Sequence, residues 1–213
     1  MIMEEQRQEI LKYARALVEN DLTKGTGGNL SVYDPESGLM LITPTQLSFL
    51  EIGPEDLVLM KLDGTVVESK WKQSSEWRMH AIQYENRSDI TAVIHAHTAY
   101  ATGFAIARKP IQASHYMIAV TGKDVRVAEY APFGTEQLAK NAYEAMKDRY
   151  AVLLANHGIL AGSYSVANAF NIIEECEYCA RTTLYASMLG DPVILSDQEM
   201  AEMAVRFQNY GQK

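Results

Sequence analysis

The chain has 213 residues, of which 47% are hydrophobic and 22% are charged, and these values are ordinary for a globular protein with a sizeable core. It has no apolar run near the roughly 18 residues of a membrane span, no signal-peptide pattern at its start and no Lys/Arg run of the kind that binds nucleic acid, and its net charge is -8. We therefore expect a cytoplasmic protein without a membrane or nucleic-acid partner. Local N–H groups or a metal would still allow it to bind an anionic small molecule.

Periodic apolar residues predict helices and strands along the whole chain, with no linker or internal repeat. The first helix is expected at residues 4–20. The strands are expected, in chain order, at 30–33, 39–43, 57–62, 65–67, 91–98, 111–121, 125–130, 151–155 and 159–161. The later helices are expected at 74–86, 99–107, 135–147, 165–189 and 196–208. Hairpin-joined strands covered by helices predict one α/β domain over residues 1–213, with three α/β/α layers and a mixed, largely antiparallel central sheet.

Two of the predicted helices begin with capping residues. Ser74 or Ser75 is expected to cap the helix at 74–86, and Ser196 with Glu199 forms a capping box for the last helix. A cap at either serine places Glu76 in or next to the first helical turn. A carboxylate there commonly stabilises the helix dipole.

The motif His95-Ala96-His97 is the clearest sign of a functional site. Residues i and i+2 of a strand point to the same face, so the two imidazoles lie side by side, as in sites for zinc and related metals. The alternative is a pair of hydrogen-bonded histidines near a strand end. A third ligand would come from His80, His115 or His157. Spacing favours His157, which follows a buried apolar run; His115 is expected on a strand face opposite to Tyr116.

Three polar segments predict an anion site. They are Gly25–Asn29, Ile42–Thr45 and Ser74–Ser75, which offer backbone N–H groups and hydroxyls that could converge on one phosphate. Turns use the same residue types, so each segment alone is weak evidence. A catalytic metal site of three histidines also needs a base, and the carboxylate of Glu76 is the candidate.

Eight motifs in order resemble those of the class II aldolase and adducin-head family, and within it the members that cleave L-fuculose 1-phosphate. The motifs span nearly the whole chain, which makes the match far more specific than any single piece. They are Gly25–Asn29, Ile42–Thr45, Ser74–Glu76, His95–His97, His115–Met117, Phe133–Thr135, Asn156–Gly158 and Phe207–Gly211.

The resemblance implies a metal-dependent carbon–carbon lyase of carbohydrate degradation and fucose metabolism. In that reading His95, His97 and His157 bind one Zn²⁺ per subunit, although other divalent ions suit such a site. Glu76 approaches the metal when no substrate is bound and moves the proton at the carbon next to the carbonyl. Tyr116 takes the proton from the hydroxyl of the aldehyde half.

The resemblance also implies the contacts of a phosphorylated keto-sugar. Asn29, Thr45, Ser74 and Ser75 would hold the phosphate, with Thr26 and Gly28 also at the substrate. Phe133 would pack against the aldehyde half, and Tyr210 in the tail at 196–213 would reach the site of a neighbouring subunit. The family implies a C4 homotetramer with sites between subunits.

The implied reaction is reversible cleavage of L-fuculose 1-phosphate to dihydroxyacetone phosphate and L-lactaldehyde. One residue departs from the pattern: the relatives usually carry Gly after Ile42–Thr45, whereas this chain has Gln46. The phosphate contacts and the exact sugar therefore stay open. The alternatives are ribulose-5-phosphate 4-epimerase, methylthioribulose-1-phosphate dehydratase, another deoxy-ketose-phosphate aldolase, or a non-enzymatic adducin-head-like module. The combination of Ser74–Glu76 with His115–Met117 favours an aldolase over the epimerase, where we expect Asp after the serines.

Overall fold

An eight-stranded sheet runs through the part of the chain that this computed structural model describes, residues 1–208. The strands are β1 (Asn29–Asp34), β2 (Leu39–Ile42), β3 (Val58–Lys61), β4 (Val66–Glu68), β5 (Ala92–Ala96), β6 (Arg126–Ala128), β7 (Ala151–Leu154) and β8 (Gly158–Ser163). Their order across the sheet is β4-β3-β2-β1-β5-β8-β7-β6. Every neighbouring pair is antiparallel except β6 and β7. The predicted mixed, largely antiparallel sheet is confirmed.

The helices cover the sheet on both faces. They are α1 (Glu4–Glu19), α2 (Trp77–Asn86), α3 (Ala99–Ile106), α4 (Glu136–Met146), α5 (Val166–Leu189) and α6 (Asp197–Gln208), with short 3-10 helices at Pro54–Asp56 and Tyr116–Thr121. One apolar core joins the sheet to α1, α3 and α5, and a second joins it to α2 and α4. The three α/β/α layers are therefore confirmed. Within the described range, every helix is too short or too polar to cross a bilayer.

Strand alternation on β5 decides which face carries the functional residues. Ile94 and Ala96 pack into the core of α1, α3 and α5, whereas Val93 packs into the core of α2 and α4. His95 shares the face of Val93, because side chains two residues apart in a strand point the same way. Asn29 of β1 lies directly opposite His95 in the register, so both side chains face the α2 layer.

The strand predicted at 111–121 is wrong. Ile111 makes a single bridge to Val125, and the chain then turns into the 3-10 helix Tyr116–Thr121. His115 caps this helix by accepting the backbone N–H of Met117 at Nδ1, 3.3 Å away. The apolar run packs against α5 and α6 instead of entering the sheet. His115 and Tyr116 accordingly do not alternate across a strand, and their ring centroids lie 4.9 Å apart.

Helix α2 begins at Trp77, two residues later than a cap at Ser74 requires. Gln73 makes an isolated antiparallel bridge to Pro44, and the backbone N–H of Ser74 donates to the carbonyl oxygen of Thr43 at 3.2 Å. The Ser74 hydroxyl accepts the N–H of Glu76 in a tight turn. Glu76 occupies the cap position, but its side chain makes no capping hydrogen bond. Its carboxylate is therefore free to point towards the sheet.

Candidate active site

Three histidines converge at one end of the strands. His95 lies inside β5, His97 follows the end of β5, and His157 lies in the turn between β7 and β8. Nε2 of His95 is 3.0 Å from Nε2 of His97 and 3.2 Å from Nε2 of His157. One ring nitrogen from each histidine lies within 4.8 Å of the others. Within residues 1–208, His80 and His115 are outside this cluster.

The histidines are held neutral, which is the form that binds metal ions. Nδ1 of His95 lies 2.9 Å from the carbonyl oxygen of Ile159, and since a carbonyl only accepts, Nδ1 carries the proton and the Nε2 lone pair faces the cluster. Burial, followed by the neighbouring His97, lowers the pKa of His95 to about 3. Burial and then His95 lower the pKa of His157 to about 4. Burial also lowers the pKa of His97.

Two glycines allow the backbone to approach the histidines. Gly28 has a φ of +82°, and a Cβ on it would lie 2.5 Å from the carbonyl oxygen of His95. A Cβ on Gly158 would collide with the carbonyl oxygen of Ala96 and approach the His95 ring. A side chain at either position would force β5 away from its neighbours. This steric limit explains why both motifs carry glycine at these positions.

The carboxylate of Glu76 faces the same cluster. Its Oε2 lies 3.5 Å from Nε2 of His95, and its Oε1 lies 3.4 Å from Nε2 of His157. Glu76 is only 7% exposed, and Oε1 has no hydrogen-bond partner among the described residues. A buried carboxylate oxygen beside neutral rings is costly. A divalent cation among the three imidazoles would supply the missing partner, so this donor set fits a transition metal with an open coordination position.

A buried polar chain lies behind Glu76, and sequence reasoning missed it. Asn29 Nδ2 donates to Glu76 Oε2 at 3.0 Å, and Asn29 Oδ1 lies 2.5 Å from Nε2 of His80. His80 Nδ1 lies 2.7 Å from Oγ of Ser31, which lies 2.6 Å from the hydroxyl of Tyr84. His80 is fully buried and neither touches Glu76 directly nor caps a surface patch, the two roles that its position one helical turn after Glu76 suggests.

A cleft of about 400 Å³ opens beside the histidines and Glu76. The three predicted anion-binding segments all reach it, as does Phe133. The predicted substrate residues that line it are Thr26, Gly28, Asn29, Thr45, Ser74, Ser75 and Phe133. Tyr130 and Ala131 also line it and were not predicted. Within the described range, the side-chain hydroxyls of Thr45 and Ser75 take part in no protein hydrogen bond, so they are available to a ligand.

Gln46, the departure from the family pattern, also lines this cleft. Its φ is +58°, a left-handed conformation that costs a residue with a Cβ about 1–2 kcal/mol. The chain therefore keeps the backbone shape that Gly would adopt without strain. The Gln46 side chain is exposed at the edge of the cleft.

Tyr116 does not line the cleft of the histidines. It lies with Phe207 along a second, larger groove of about 1150 Å³ between the 3-10 helix and α6, and the two ring centroids are 6.2 Å apart. Tyr116 is 46% exposed. The described part of one chain therefore does not place Tyr116 among the histidines. Tyr210 lies outside the described residues.

Comparisons with known proteins show the family of the chain. Residues 8–184 match the family described as Class II Aldolase and Adducin N-terminal domain. The chain is 44% identical to the 5-deoxy-D-ribulose 1-phosphate aldolase of Bacillus thuringiensis serovar kurstaki, with both proteins covered completely. It is 36% identical to the L-fuculose phosphate aldolase of Escherichia coli O157:H7, over 96% of this chain and 94% of that protein. A solved structure of an L-fuculose 1-phosphate aldolase superposes with a TM-score of 0.96 at 59% identity, covering 98% of each chain.

Proposed function

The chain belongs to the class II aldolase and adducin N-terminal domain family, and from this premise we propose that it is a zinc-dependent aldolase that cleaves L-fuculose 1-phosphate. The observation that carries the proposal is the buried Oε1 of Glu76, which faces three neutral histidines without a hydrogen-bond partner among the described residues. A second candidate substrate is 5-deoxyribulose 1-phosphate, which the relative at 44% identity favours. Both sugars carry phosphate on C1 next to a C2 ketone.

The metal site is formed by His95, His97 and His157, with Glu76 close enough to approach it. Three neutral imidazoles suit Zn²⁺ and leave a coordination position for substrate. When bound, the metal supplies a Lewis acid for the negative charge that develops at the ketone oxygen.

The cleavage needs two proton transfers, and the chain has a residue for each. The C3–C4 bond breaks, its electrons form an enediolate over C2 and C3, and C4 becomes an aldehyde as its hydroxyl loses a proton. We assign that proton to Tyr116. Glu76 delivers a proton to C3, which converts the enediolate to dihydroxyacetone phosphate. One proton leaves and one is added, and a general acid or base typically contributes about 10²–10⁴-fold.

The phosphate would lie in the cleft among free donors. Thr45 and Ser75 supply hydroxyls without protein partners, and Thr26, Gly28 and Ser74 lie on the same wall. Asn29 contributes less than the resemblance implies, because one of its N–H groups donates to Glu76 and its oxygen contacts His80. Only its second N–H is available to the phosphate.

Tyr116 would act at the site of a neighbouring subunit. It is half exposed and lies along a groove with Phe207, so a second chain that docks there would bring it to a cleft that one chain leaves incomplete. We propose a C4 homotetramer in which residues 196–213, including Tyr210, extend towards that neighbour. Phe133, 72% exposed at the edge of its own cleft, would then pack against the aldehyde half of the sugar.

A coupled assay for dihydroxyacetone phosphate tests the reaction. The purified protein is offered L-fuculose 1-phosphate, 5-deoxyribulose 1-phosphate and 5-methylthioribulose 1-phosphate, with chelator and after Zn²⁺ is restored. We expect release from the first that stops with chelator and returns with Zn²⁺. Faster release from 5-deoxyribulose 1-phosphate would transfer the assignment to that sugar. If none of the three sugars releases dihydroxyacetone phosphate, the aldolase assignment is refuted. Epimerase and dehydratase activities would then be assayed.

Metal analysis separates the enzyme from a non-enzymatic module of the same family. We expect about one zinc per chain in freshly purified protein that has not been exposed to a chelator, which is the stoichiometry of a mononuclear catalytic site. An adducin-head-like module has no need of three converging histidines and a buried carboxylate. Protein without bound metal that also fails to take up added Zn²⁺ would favour the module.

A further inference from the structure

Four buried polar residues meet between β1 and α2. Asn29 and Ser31 are two residues apart in β1 and therefore point to the same face. His80 and Tyr84 are four residues apart in α2 and therefore share one side of that helix. The strand face meets the helix side, and all four side chains are at most 6% exposed. Together with Glu76 they form a continuous hydrogen-bonded chain.

The Glu76 carboxylate fixes the direction of the hydrogen bonds that lead to it from Ser31. Asn29 donates its N–H to the Glu76 carboxylate, so its oxygen Oδ1 faces His80 and can only accept. His80 must therefore donate from Nε2, and as a neutral ring it accepts at Nδ1. Ser31 then donates its hydroxyl proton to His80 Nδ1. The Tyr84 hydroxyl donates to the carbonyl oxygen of Ser31 and also lies within hydrogen-bond distance of Ser31 Oγ. The donors of Asn29, His80 and Ser31 therefore all point towards Glu76.

Burial keeps this direction from reversing. It lowers the pKa of His80 to about 3, with His95 as the second cause, so the ring stays neutral at neutral pH. Burial also raises the pKa of Tyr84, so the hydroxyl keeps its proton and remains a donor. Enclosure excludes the water that could offer the Asn29 amide another arrangement.

We propose that His80 is a positioning residue for the aldol cleavage: through Asn29 it holds the Glu76 carboxylate at the angle from which Glu76 transfers its proton. The inference rests on the proposed function. His80 touches neither the histidine cluster nor the cleft, yet it holds the Oδ1 end of the Asn29 amide, whose Nδ2 end donates to Glu76. Without the His80 donor, the amide is held at one end only. The hydrogen bond from Asn29 would then no longer fix the angle of the Glu76 carboxylate.

The alternative is that His80 only fills space and satisfies polar groups in the core. The chain provides a matched control for this alternative, because Gln83 lies on the same helix and is also fully buried. Neither side-chain polar atom of Gln83 has a hydrogen-bond partner among the described residues. Gln83→Leu therefore changes the polarity of the same buried helix without altering the hydrogen bonds between His80, Asn29 and Glu76.

The kinetic test compares His80→Leu, His80→Gln and Gln83→Leu in the zinc-loaded enzyme, with thermal melting and bound zinc as checks of integrity. Loss of a residue that orients an active-site group typically costs about 10–100-fold. We expect His80→Leu to lower kcat by that factor with little change in KM, because the phosphate contacts remain. His80→Gln keeps an N–H for Asn29 and should recover much of kcat. Gln83→Leu should leave kcat unchanged.

The second test needs no activity. Long-range ¹H–¹⁵N NMR of histidine-labelled protein reports which ring nitrogen of His80 carries the proton, and the His80→Gln spectrum assigns the signal. We expect the neutral ring protonated at Nε2, because Asn29 Oδ1 beside it can only accept. A ring protonated at Nδ1 or on both nitrogens would overturn the proposal even if His80→Leu failed to fold.

The two tests separate failure of this inference from failure of the proposed function. An unchanged kcat in folded His80→Leu, or a His80→Gln enzyme no faster than His80→Leu, would reject the positioning role while the aldolase assignment stands. A wild-type protein that cleaves no sugar phosphate would reject the function. In that case the NMR measurement would still decide the direction of the hydrogen bond between His80 and Asn29.

Discussion

The cleft of the histidines and the groove of Tyr116 differ in how much of a site one chain supplies. The cleft contains the neutral imidazoles, the buried Glu76 and the free hydroxyls of Thr45 and Ser75, all from one chain. The groove contains the exposed ring of Tyr116 and the partly buried ring of Phe207, and it does not include the histidines. In the proposed mechanism, metal binding and proton transfer at C3 would therefore be properties of the single chain. Proton removal from the aldehyde half would be a property of the assembly.

Removing the metal should have the largest effect. His157→Ala deletes a proposed ligand from the cleft and leaves the Tyr116 groove untouched. Metal-ion catalysis supplies several kcal/mol of charge stabilisation, so we expect a loss on the order of 10³-fold or more. Zinc content and dihydroxyacetone phosphate release, measured on the same sample, check this prediction. Retention of both zinc and activity would show that His157 is not a ligand.

Glu76→Gln and Tyr116→Phe should each cost at least about 100-fold, the lower end for a general acid or base. If Tyr116 acts at the cleft of a neighbouring subunit, the two variants should also complement each other. When the two inactive variants are unfolded together, refolded and supplied with zinc, mixed assemblies should regain activity, because some clefts receive an intact Glu76 and an intact neighbouring Tyr116. Mixtures as inactive as the parents would place Tyr116 and Glu76 in the same chain's site.

Acid should destabilise the buried layer behind the cleft. The pKa of His80 is about 3 in the folded protein against an ordinary value of 6.5. The unfolded chain therefore binds a proton below pH 6.5 that the folded chain does not, and stability falls as pH drops from 6.5 towards 3. At pH 5 the proton uptake of His80 in the unfolded chain lowers the free energy of unfolding by about 2 kcal/mol. Urea unfolding at pH 7.5 and pH 5 measures it, and His80→Gln should show a smaller difference than the wild type.

Gln46→Gly should have the smallest effect. Removing the side chain relieves the cost of a positive φ, which the greater freedom of glycine in the unfolded chain partly offsets, so we expect a gain of about 0.5–1 kcal/mol in the free energy of unfolding. Urea unfolding at neutral pH measures the gain. A rise in KM for the sugar phosphate in the same variant would show that the Gln46 amide contributes to the substrate contact. An unchanged KM would limit Gln46 to the edge of the cleft.

Local patterns were sufficient where a short stretch of sequence contains all the interactions that matter. The apolar period predicted α1, α4 and α5 closely, and the capping box of α6 is present, with Ser196 and Glu199 bonded to each other's backbone N–H. The same patterns were wrong at 111–121 and at the start of α2. In both places tertiary contacts compete with local propensity: the first segment packs against α5 and α6, and Ser74 bonds to Thr43 on another strand.

The sequence by itself determined the residue types of the site and the pairing of His95 with His97, because strand alternation is fixed by backbone geometry. Spacing and the family resemblance pointed to His157 as the third member, and the tertiary structure brings it to the other two from a turn 60 residues away. The tertiary structure also decided that Glu76 turns inward instead of capping α2. The role of His80 depends on the tertiary structure most strongly. Periodicity places His80 and Ser31 on the correct faces, but only the packing of α2 on β1 brings the two faces together and excludes the water that would otherwise compete for them.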